Sequence, residues 1–543
     1  MATEHGRILA TPVTKKLGHI TEHSSMGPVA GSIKNIVKTA TGRHYESWIR
    51  RPYTVLRAVP RTILRPQKFA AVVGRRLQIW VLNIRSRTSW RPAQWVICPI
   101  LEALVGAFER YYGSYYRRFG IAVNSIRRET RNHQGLLLVS GTLSSGGSER
   151  QTVLTVLGLA RRNLESVRLA VVYLRSEAER FYLHRLEAAG MPVVEFSRDA
   201  SSDRVAGVSD ALDAVNVLPG MLHDVAAYAR TIALQSPAIV HLWLDEVNVK
   251  GGLAAVAAGV PRIILSGRNL PPNNYLLYQP YMREAYRWLL RQPGVALINN
   301  SIAGARAYER WLDLPEGSIR VVHNGFDFDD ELLERCRRRR AAYRERHGIP
   351  QAVPLVGTVM RLNEEKRPLL WAEIAARVAK ALPDAHFLVV GDGPLRKQLE
   401  TWNTRPDLAG KLHLVGLERQ SLEAMAAMDL FLLSSRGEGL PNVLVEAQAV
   451  GVPVVTTRVG GAPETLDAGR SGWVLTSDQP RRAAAEIVRL LKDKSWLQTA
   501  GETGPRFVRT NFGLERMLDE TLEIYDSSEN FLHGQQKEAH FGE

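Results

Sequence analysis

The feature that most constrains this chain is an alternation of short apolar runs with amphipathic stretches, begun near residue 135 and begun again at 355. In the first series the apolar runs are 136–140, 168–174, 192–196, 238–243, 262–266 and 295–299, separated by helical patterns such as 177–189, 222–234 and 253–258. In the second they are 355–359, 386–390, 411–415, 430–433 and 454–456. Unbroken apolar runs of this length suit strands covered on both faces. Strands that alternate with helices build parallel, doubly wound sheets. The spacing therefore predicts an α/β protein with two similar domains facing each other across a cleft, each with its own core.

In such sheets ligands lie outside the carboxyl ends of the strands, and the polar motifs fall there. After 136–140 comes Gly141-Thr-Leu-Ser-Ser-Gly-Gly-Ser-Glu-Arg150, a glycine turn leading into a helix. Glycines of this kind let backbone N–H groups approach a phosphate at a helix N-terminus. His241 to Asp245, Ser266-Gly-Arg268-Asn269 and Asn299-Asn-Ser301 close three further strands, where each residue serves a ligand or only a turn or cap. In the second half the strand ends carry Arg361 to Lys366, Gly391-Asp392-Gly393-Pro394, Val415-Gly416 and Ser434 to Glu446. Glu438 lies in a glycine-flanked loop before a helix starting near Asn442, and Glu446 about one turn inside it. Two carboxylates on a cleft floor suit sugar or ribose hydroxyls, while Arg361, Lys366 and the helix N-terminus neutralise a diphosphate. Between the halves, Asp327-Phe-Asp-Asp330 reads as a helix cap rather than a metal site, and Arg337 to Arg340 as a solvated helix face.

Together, Arg361…Lys366, Gly391-Asp-Gly-Pro394, Glu438-Gly-Leu-Pro-Asn-Val-Leu-Val-Glu446 and Val459-Gly-Gly-Ala-Pro-Glu464 resemble the retaining GT-B glycosyltransferases of family 4, also called glycosyltransferase group 1. Gly146-Gly-Ser-Glu-Arg-Gln151 and Val322-His-Asn324-Gly-Phe-Asp327 match as well. The resemblance covers roughly 135–525. It implies the GT-B fold, with Rossmann-like domains at 131–328 and 329–512 and a helix within 513–543 that crosses back onto the first domain. It also implies that Arg361 and Lys366 bind the diphosphate of a nucleotide sugar and stabilise the leaving group. Glu446 would hold the ribose, and Glu438 with the amides of Gly439 and Leu440 the donor sugar. Gly391, Asp392, Gly393, Val415 and Asn442 would line the donor pocket, and Gly146 and Gly147 would approach the diphosphate from the opposite domain. Same-face attack with no protein nucleophile, no metal and no other cofactor is what the family leads one to expect. Where many members have a catalytic His, this chain has Arg268, which the resemblance puts forward ahead of His241. His241 and Asn324 are the acceptor-side candidates. The function implied is sugar transfer to a lipid-linked or growing glycan in bacterial surface or exopolysaccharide synthesis. A catalytically silent GT-B scaffold and a sugar-nucleotide epimerase are the alternatives.

Charge adds a second constraint. The chain has a formal net charge of +16, and residues 1–130 alone hold 22 Lys/Arg against six Glu and no Asp. The remaining residues are therefore neutral overall, which argues against a nucleic-acid-binding body. Within 51–100 the basic residues alternate with Trp80, Trp90, Trp95 and short apolar runs, broken by Pro52, Pro60, Pro66 and Pro92. This composition suits the interface of an anionic membrane; an arm without a specific partner, nucleic-acid binding and an organelle-targeting leader are the other readings. The tyrosines of 111–116 either continue this segment or begin the globular part. No run reaches about 18 uninterrupted apolar residues, and no secretory signal is evident. Two cysteines, Cys98 and Cys336, exclude a disulfide scaffold or a Cys-based zinc site. The expected location is cytoplasmic, peripheral on the inner face of the cell membrane.

Overall fold

The computed structural model describes residues 77–78, 91–126 and 133–527, apart from 163–165, 197–202, 204, 206, 276–277 and 419. The expectations for 1–76 and 79–90 lie outside the described residues.

Two all-parallel sheets form. The first holds β1 (Leu136–Ser140), β2 (Val167–Val171), β3 (Val193–Glu195), β4 (Ile239–Trp243), β5 (Arg262–Gly267), β6 (Val295–Asn299) and β7 (Arg320–Val321), in the order β3-β2-β1-β4-β5-β6-β7. The second holds β8 (Leu355–Val359), β9 (His386–Val390), β10 (Leu412–Gly416), β11 (Leu430–Leu433), β12 (Val454–Thr456) and β13 (Gly472–Val474), in the order β10-β9-β8-β11-β12-β13. The apolar runs become these strands because helices cover both faces: β1 and β11 are buried at every position. Strand order reverses direction between β1 and β4 and between β8 and β11. A crevice opens at the carboxyl ends of such a reversal, and four site loops issue from these four strands.

The helices that matter below are α1 (Arg91–Ser125), α2 (Gly147–Arg161), α3 (Asp245–Ala257), α4 (Met282–Leu289), α5 (Ile302–Leu312), α6 (Asp330–Arg338), α7 (Asn442–Ala449), α8 (Lys494–Phe512) and α9 (Leu514–Asp526). Between α8 and α9 the chain returns to the first domain. Phe326 N–H donates to Phe512 O at 2.8 Å, and Leu514 N–H to Phe326 O at 3.0 Å. α9 then seals the first domain: Leu518 faces Gly158 of α2, and the Arg262 guanidinium donates to Ile524 O at 2.7 Å.

The boundary at 130 is corrected by α1. Tyr112, Tyr116, Phe119 and Val123 share one buried core with Leu137 and Val139 of β1. Phe119 packs on Trp288, ring centroids 5.0 Å apart, Tyr116 Oη donates to Tyr281 O at 3.1 Å, and Tyr278 Oη donates to Glu109 at 2.5 Å. The last part of the basic segment is thus an element of the first domain. No helix among the described residues is long and apolar enough to cross a membrane.

In the connector, the Asp329 side chain accepts from Leu332 N–H at 2.9 Å and caps α6, as the cap reading requires. The arginines that follow are not simply solvated. Arg337 donates to Ala449 O at 2.8 Å, Arg339 pairs with Glu423 at 2.7 Å and Arg340 with Asp429 at 2.6 Å, tying the connector to the second domain.

Candidate active site

The two strand-order reversals face each other, and the loops they emit make the cleft. From the second domain come the loop after β8, with Arg361 and Lys366, and the loop after β11, with Glu438. Lys366 Nζ donates to Glu438 Oε1 at 2.6 Å, so a cation and a carboxylate 72 residues apart meet at the cleft floor. Arg361 is exposed at the mouth, and its charge acts on Glu149 and Glu365. Gly391 begins the loop after β9 with φ of +132°, and a Cβ there would stand 1.9 Å from Met360 O, so only glycine fits. Asp392 O accepts from Leu362 N–H at 2.9 Å, and Gly391 N–H donates to Gly416 O at 2.7 Å. These bonds gather Arg361, Gly391, Asp392, Gly393 and Val415 on one side of the site.

From the first domain, Gly146 and Gly147 open α2 opposite α7. A Cβ at Gly147 would come within 2.8 Å of Asn442 Nδ2, so the glycine allows the two helix N-termini to approach. Asn442 is bridged to the first domain again, because Asn324 Nδ2 donates to its Oδ1 at 2.6 Å. Arg268 donates to Asn324 Oδ1 at 2.8 Å. Leu440 is buried beside them, its carbonyl accepting from Asn324 Nδ2 at 3.4 Å, and Gly439 packs on the backbone of Arg268 and Asn269. Arg268, expected to contact the donor, is turned inward. Its guanidinium lies 4.0 Å from the Trp243 ring centre, and burial pulls it down to about 9, still charged at neutral pH. Arg268 thus meets Asn324, which in turn holds Asn442 of the opposite domain.

His241 is not at the cleft, which corrects its placement on the acceptor side. It stands in the middle of β4 rather than at its end, only 1% exposed, with Nδ1 2.7 Å from Tyr525 Oη of α9. Burial, and secondarily the Arg268 charge, pushes its pKa down to about 3, so the ring is neutral.

Several cleft residues were missed from the sequence. Arg150, in the first turn of α2, forms an ion pair with Glu446 of α7 across the cleft, and its guanidinium lies 5.5 Å from the Phe326 ring centre. Glu464 accepts from Ile302 and Ala303 N–H at 2.7 and 2.8 Å, so a second-domain carboxylate caps a first-domain helix, α5. Tyr275 and Asn269 hydrogen-bond to each other, and Glu365 bonds Asn269 from the other domain. Arg150 and Glu464 both lie inside quoted motifs; the signal was a charge at a helix N-terminus, but its partner was not legible.

A family model described as Glycosyl transferases group 1 matches residues 353–493. The chain is 29% identical over 411 residues to the Vi polysaccharide biosynthesis protein VipC/TviE of Salmonella typhi, covering 70% of each chain. It is 23% identical over 303 residues to an Escherichia coli UDP-Gal:alpha-D-GlcNAc-diphosphoundecaprenol alpha-1,3-galactosyltransferase, covering 53% of this chain and 74% of that one. Among solved structures, Anabaena Alr3699/HepE in complex with UDP and glucose superposes with a TM-score of 0.58 at 20% identity, over 73% of this chain and all of that one. With paired Rossmann-like domains and a cleft built at both strand-order reversals, the chain has the GT-B fold, and its second domain matches the group 1 glycosyltransferases over residues 353–493.

Proposed function

We propose that the chain is a retaining glycosyltransferase of family 4 that moves a sugar from a nucleotide sugar to a lipid-linked or growing glycan. In this reading it acts in bacterial surface polysaccharide or exopolysaccharide synthesis, on the inner face of the cell membrane. The observation that carries the reading is the Lys366–Glu438 contact of 2.6 Å, beside Arg361 and opposite the glycine N-terminus of α2. Such a floor offers fixed cations and amides to a diphosphate and a carboxylate to sugar hydroxyls.

The charge that develops sets the roles. As the anomeric C–O bond breaks, its electron pair goes to the nucleoside diphosphate, where Arg361 and Lys366 stabilise it; no metal is needed for that neutralisation. The acceptor hydroxyl oxygen forms the new bond on the same face, and its proton passes to the departing phosphate oxygen. Glu446 holds the ribose, and Glu438 with the amides of Gly439 and Leu440 holds the donor sugar.

The names of the Salmonella and Escherichia coli relatives support a polysaccharide product and a lipid-linked acceptor. The charge surplus of 1–130 supports an anionic membrane surface as partner. The test is nucleoside diphosphate release from a panel of UDP-, GDP-, ADP- and dTDP-sugars with membrane extract. Release that Lys366→Ala and Glu438→Ala abolish supports the reading; no release from any donor refutes it.

A further inference from the structure

One carboxylate in the cleft has no part in the donor chemistry. β4 ends at Trp243, and Leu244 takes φ of +73°, a left-handed backbone that a leucine rarely adopts. Strain of this kind persists only where the surroundings over-determine it, and such places cluster at functional sites. Here it delivers Asp245, the first residue of α3, to the carboxyl end of β4 at the strand-order reversal.

The carboxylate is then held on one side. Tyr286 Oη and Tyr308 Oη donate to Asp245 Oδ1 at 2.7 and 2.5 Å. Asn248 donates to Tyr286 Oη at 3.0 Å and exchanges two bonds with the backbone of Ser266. Trp311 packs edge-on against both tyrosines, each with ring centroids 5.8 Å away. Burial, and then the Asp245 charge, holds both phenols well above their usual range, so they remain donors. Among the described residues no side chain donates to Oδ2, and Asp245 keeps partial exposure.

Its position is on the first-domain wall. Tyr275 lies among Glu365, Glu438 and Asp245, whose charges add to burial in raising its hydroxyl. The Tyr275 hydroxyl also closes on Gly437, in the loop that bears Glu438. Asp245 and Glu438 of the Lys366–Glu438 floor thus both act on the Tyr275 hydroxyl. Two phenols and a helix N-terminus favour the ionised form, yet burial still pushes the carboxyl up to about 6. A carboxylate shifted by burial at a strand-order reversal, where ligands bind in such sheets, is a candidate functional group.

We propose that Asp245 is the acceptor-binding carboxylate, with Oδ2 accepting a hydrogen bond from the acceptor hydroxyl that attacks the donor. The inference rests on the glycosyltransferase reading above. The hydroxyl oxygen is turned toward the anomeric carbon and forms the new C–O bond. The electron pair of the broken bond and the hydroxyl proton both end on the nucleoside diphosphate, so the carboxylate returns unchanged.

The experiment uses the full chain, the sugar-nucleotide panel and a total lipid extract of bacterial membranes as acceptor source. For Asp245→Asn the extract-dependent release of nucleoside diphosphate falls about 10- to 100-fold, the loss of one hydrogen bond to a charged group. The extract concentration for half-maximal rate rises, and the affinity for the matching nucleoside diphosphate stays within about twofold of wild type. Tyr308→Phe, which keeps the carboxylate but loosens it, shows a smaller loss in the same sense and decides the question if Asp245→Asn does not fold. A folded Asp245→Asn protein with wild-type release, or one that loses nucleoside diphosphate affinity in parallel, overturns the inference while leaving the glycosyltransferase reading standing. No release from the wild-type protein overturns that reading, and the inference with it.

Discussion

Arg150 of the first domain pairs with Glu446 of the second across the cleft, so the carboxylate assigned to the ribose is held by an arginine. Both groups are largely buried, and the pair joins the two helix N-termini that flank the donor site. Ribose hydroxyls must therefore displace the guanidinium or share the carboxylate with it. We expect Arg150→Ala to tighten nucleoside diphosphate binding about 3- to 10-fold in calorimetry, because displacing the pair costs a kcal/mol or so. Weaker binding in that variant would instead place Arg150 within the donor site. Glu446→Ala should weaken binding in either case.

The Lys366–Glu438 pair should separate binding from chemistry. Lys366 acts on charge that grows as the bond breaks, so Lys366→Ala is expected to lower kcat by about 10²–10³, as for loss of one preorganised donor to a developing anion. Steady-state kinetics with the active donor checks this. A rise in KM at constant kcat would mean that Lys366 binds ground and transition states equally.

His241 makes the first domain sensitive to acid. Its pKa is about 3 in the fold and about 6.5 in an unfolded chain. Between these values the unfolded state binds more protons, so stability is complete above about pH 6.5 and declines as pH falls toward 3. The limiting loss is about 4–5 kcal/mol. Denaturant unfolding from pH 7 to pH 4 should show a steeper decline for the wild-type protein than for His241→Phe. Parallel declines would refute the assignment.

Truncations should divide the basic segment. Deleting 1–130 removes Tyr112, Tyr116 and Phe119 from the first-domain core. Loss of one such aromatic costs about 3–5 kcal/mol, so this truncation is expected to be insoluble or unfolded. Deleting 1–76 leaves α1 in place. That protein should keep its cooperative melt and its nucleoside diphosphate affinity while losing binding to anionic liposomes. Undiminished liposome binding would remove the membrane role from 1–76.

Much of the architecture was legible because parallel strands, covered on both faces, leave unbroken apolar runs. β1, β8, β9 and β11 coincide with their runs to the residue, whereas β7, two residues long, and β13, with a glycine and a tryptophan, carry no such mark. The composition of 51–100 pointed to a membrane, and the tyrosines of 111–116 in α1 could be read either way. Tyr112, Tyr116, Phe119 and Val123 fall at helical spacing along one face, a signal that a buried helix produces as readily as an interfacial one.

The sequence alone therefore determined the two α/β halves and the strand ends where polar residues gather, Arg361, Lys366, Glu438 and Glu446 among them. These are local matters of apolar period and of motifs placed after strands. Only the tertiary structure decided that His241 is sealed against Tyr525, that Arg268 turns inward to Asn324, that Arg150 meets Glu446 and that two tyrosines aim Asp245. Each of these depends on residues tens to hundreds of positions apart, brought together by sheet order and by the return of α9. Burial and side-chain direction follow from that packing, which no period along the chain records.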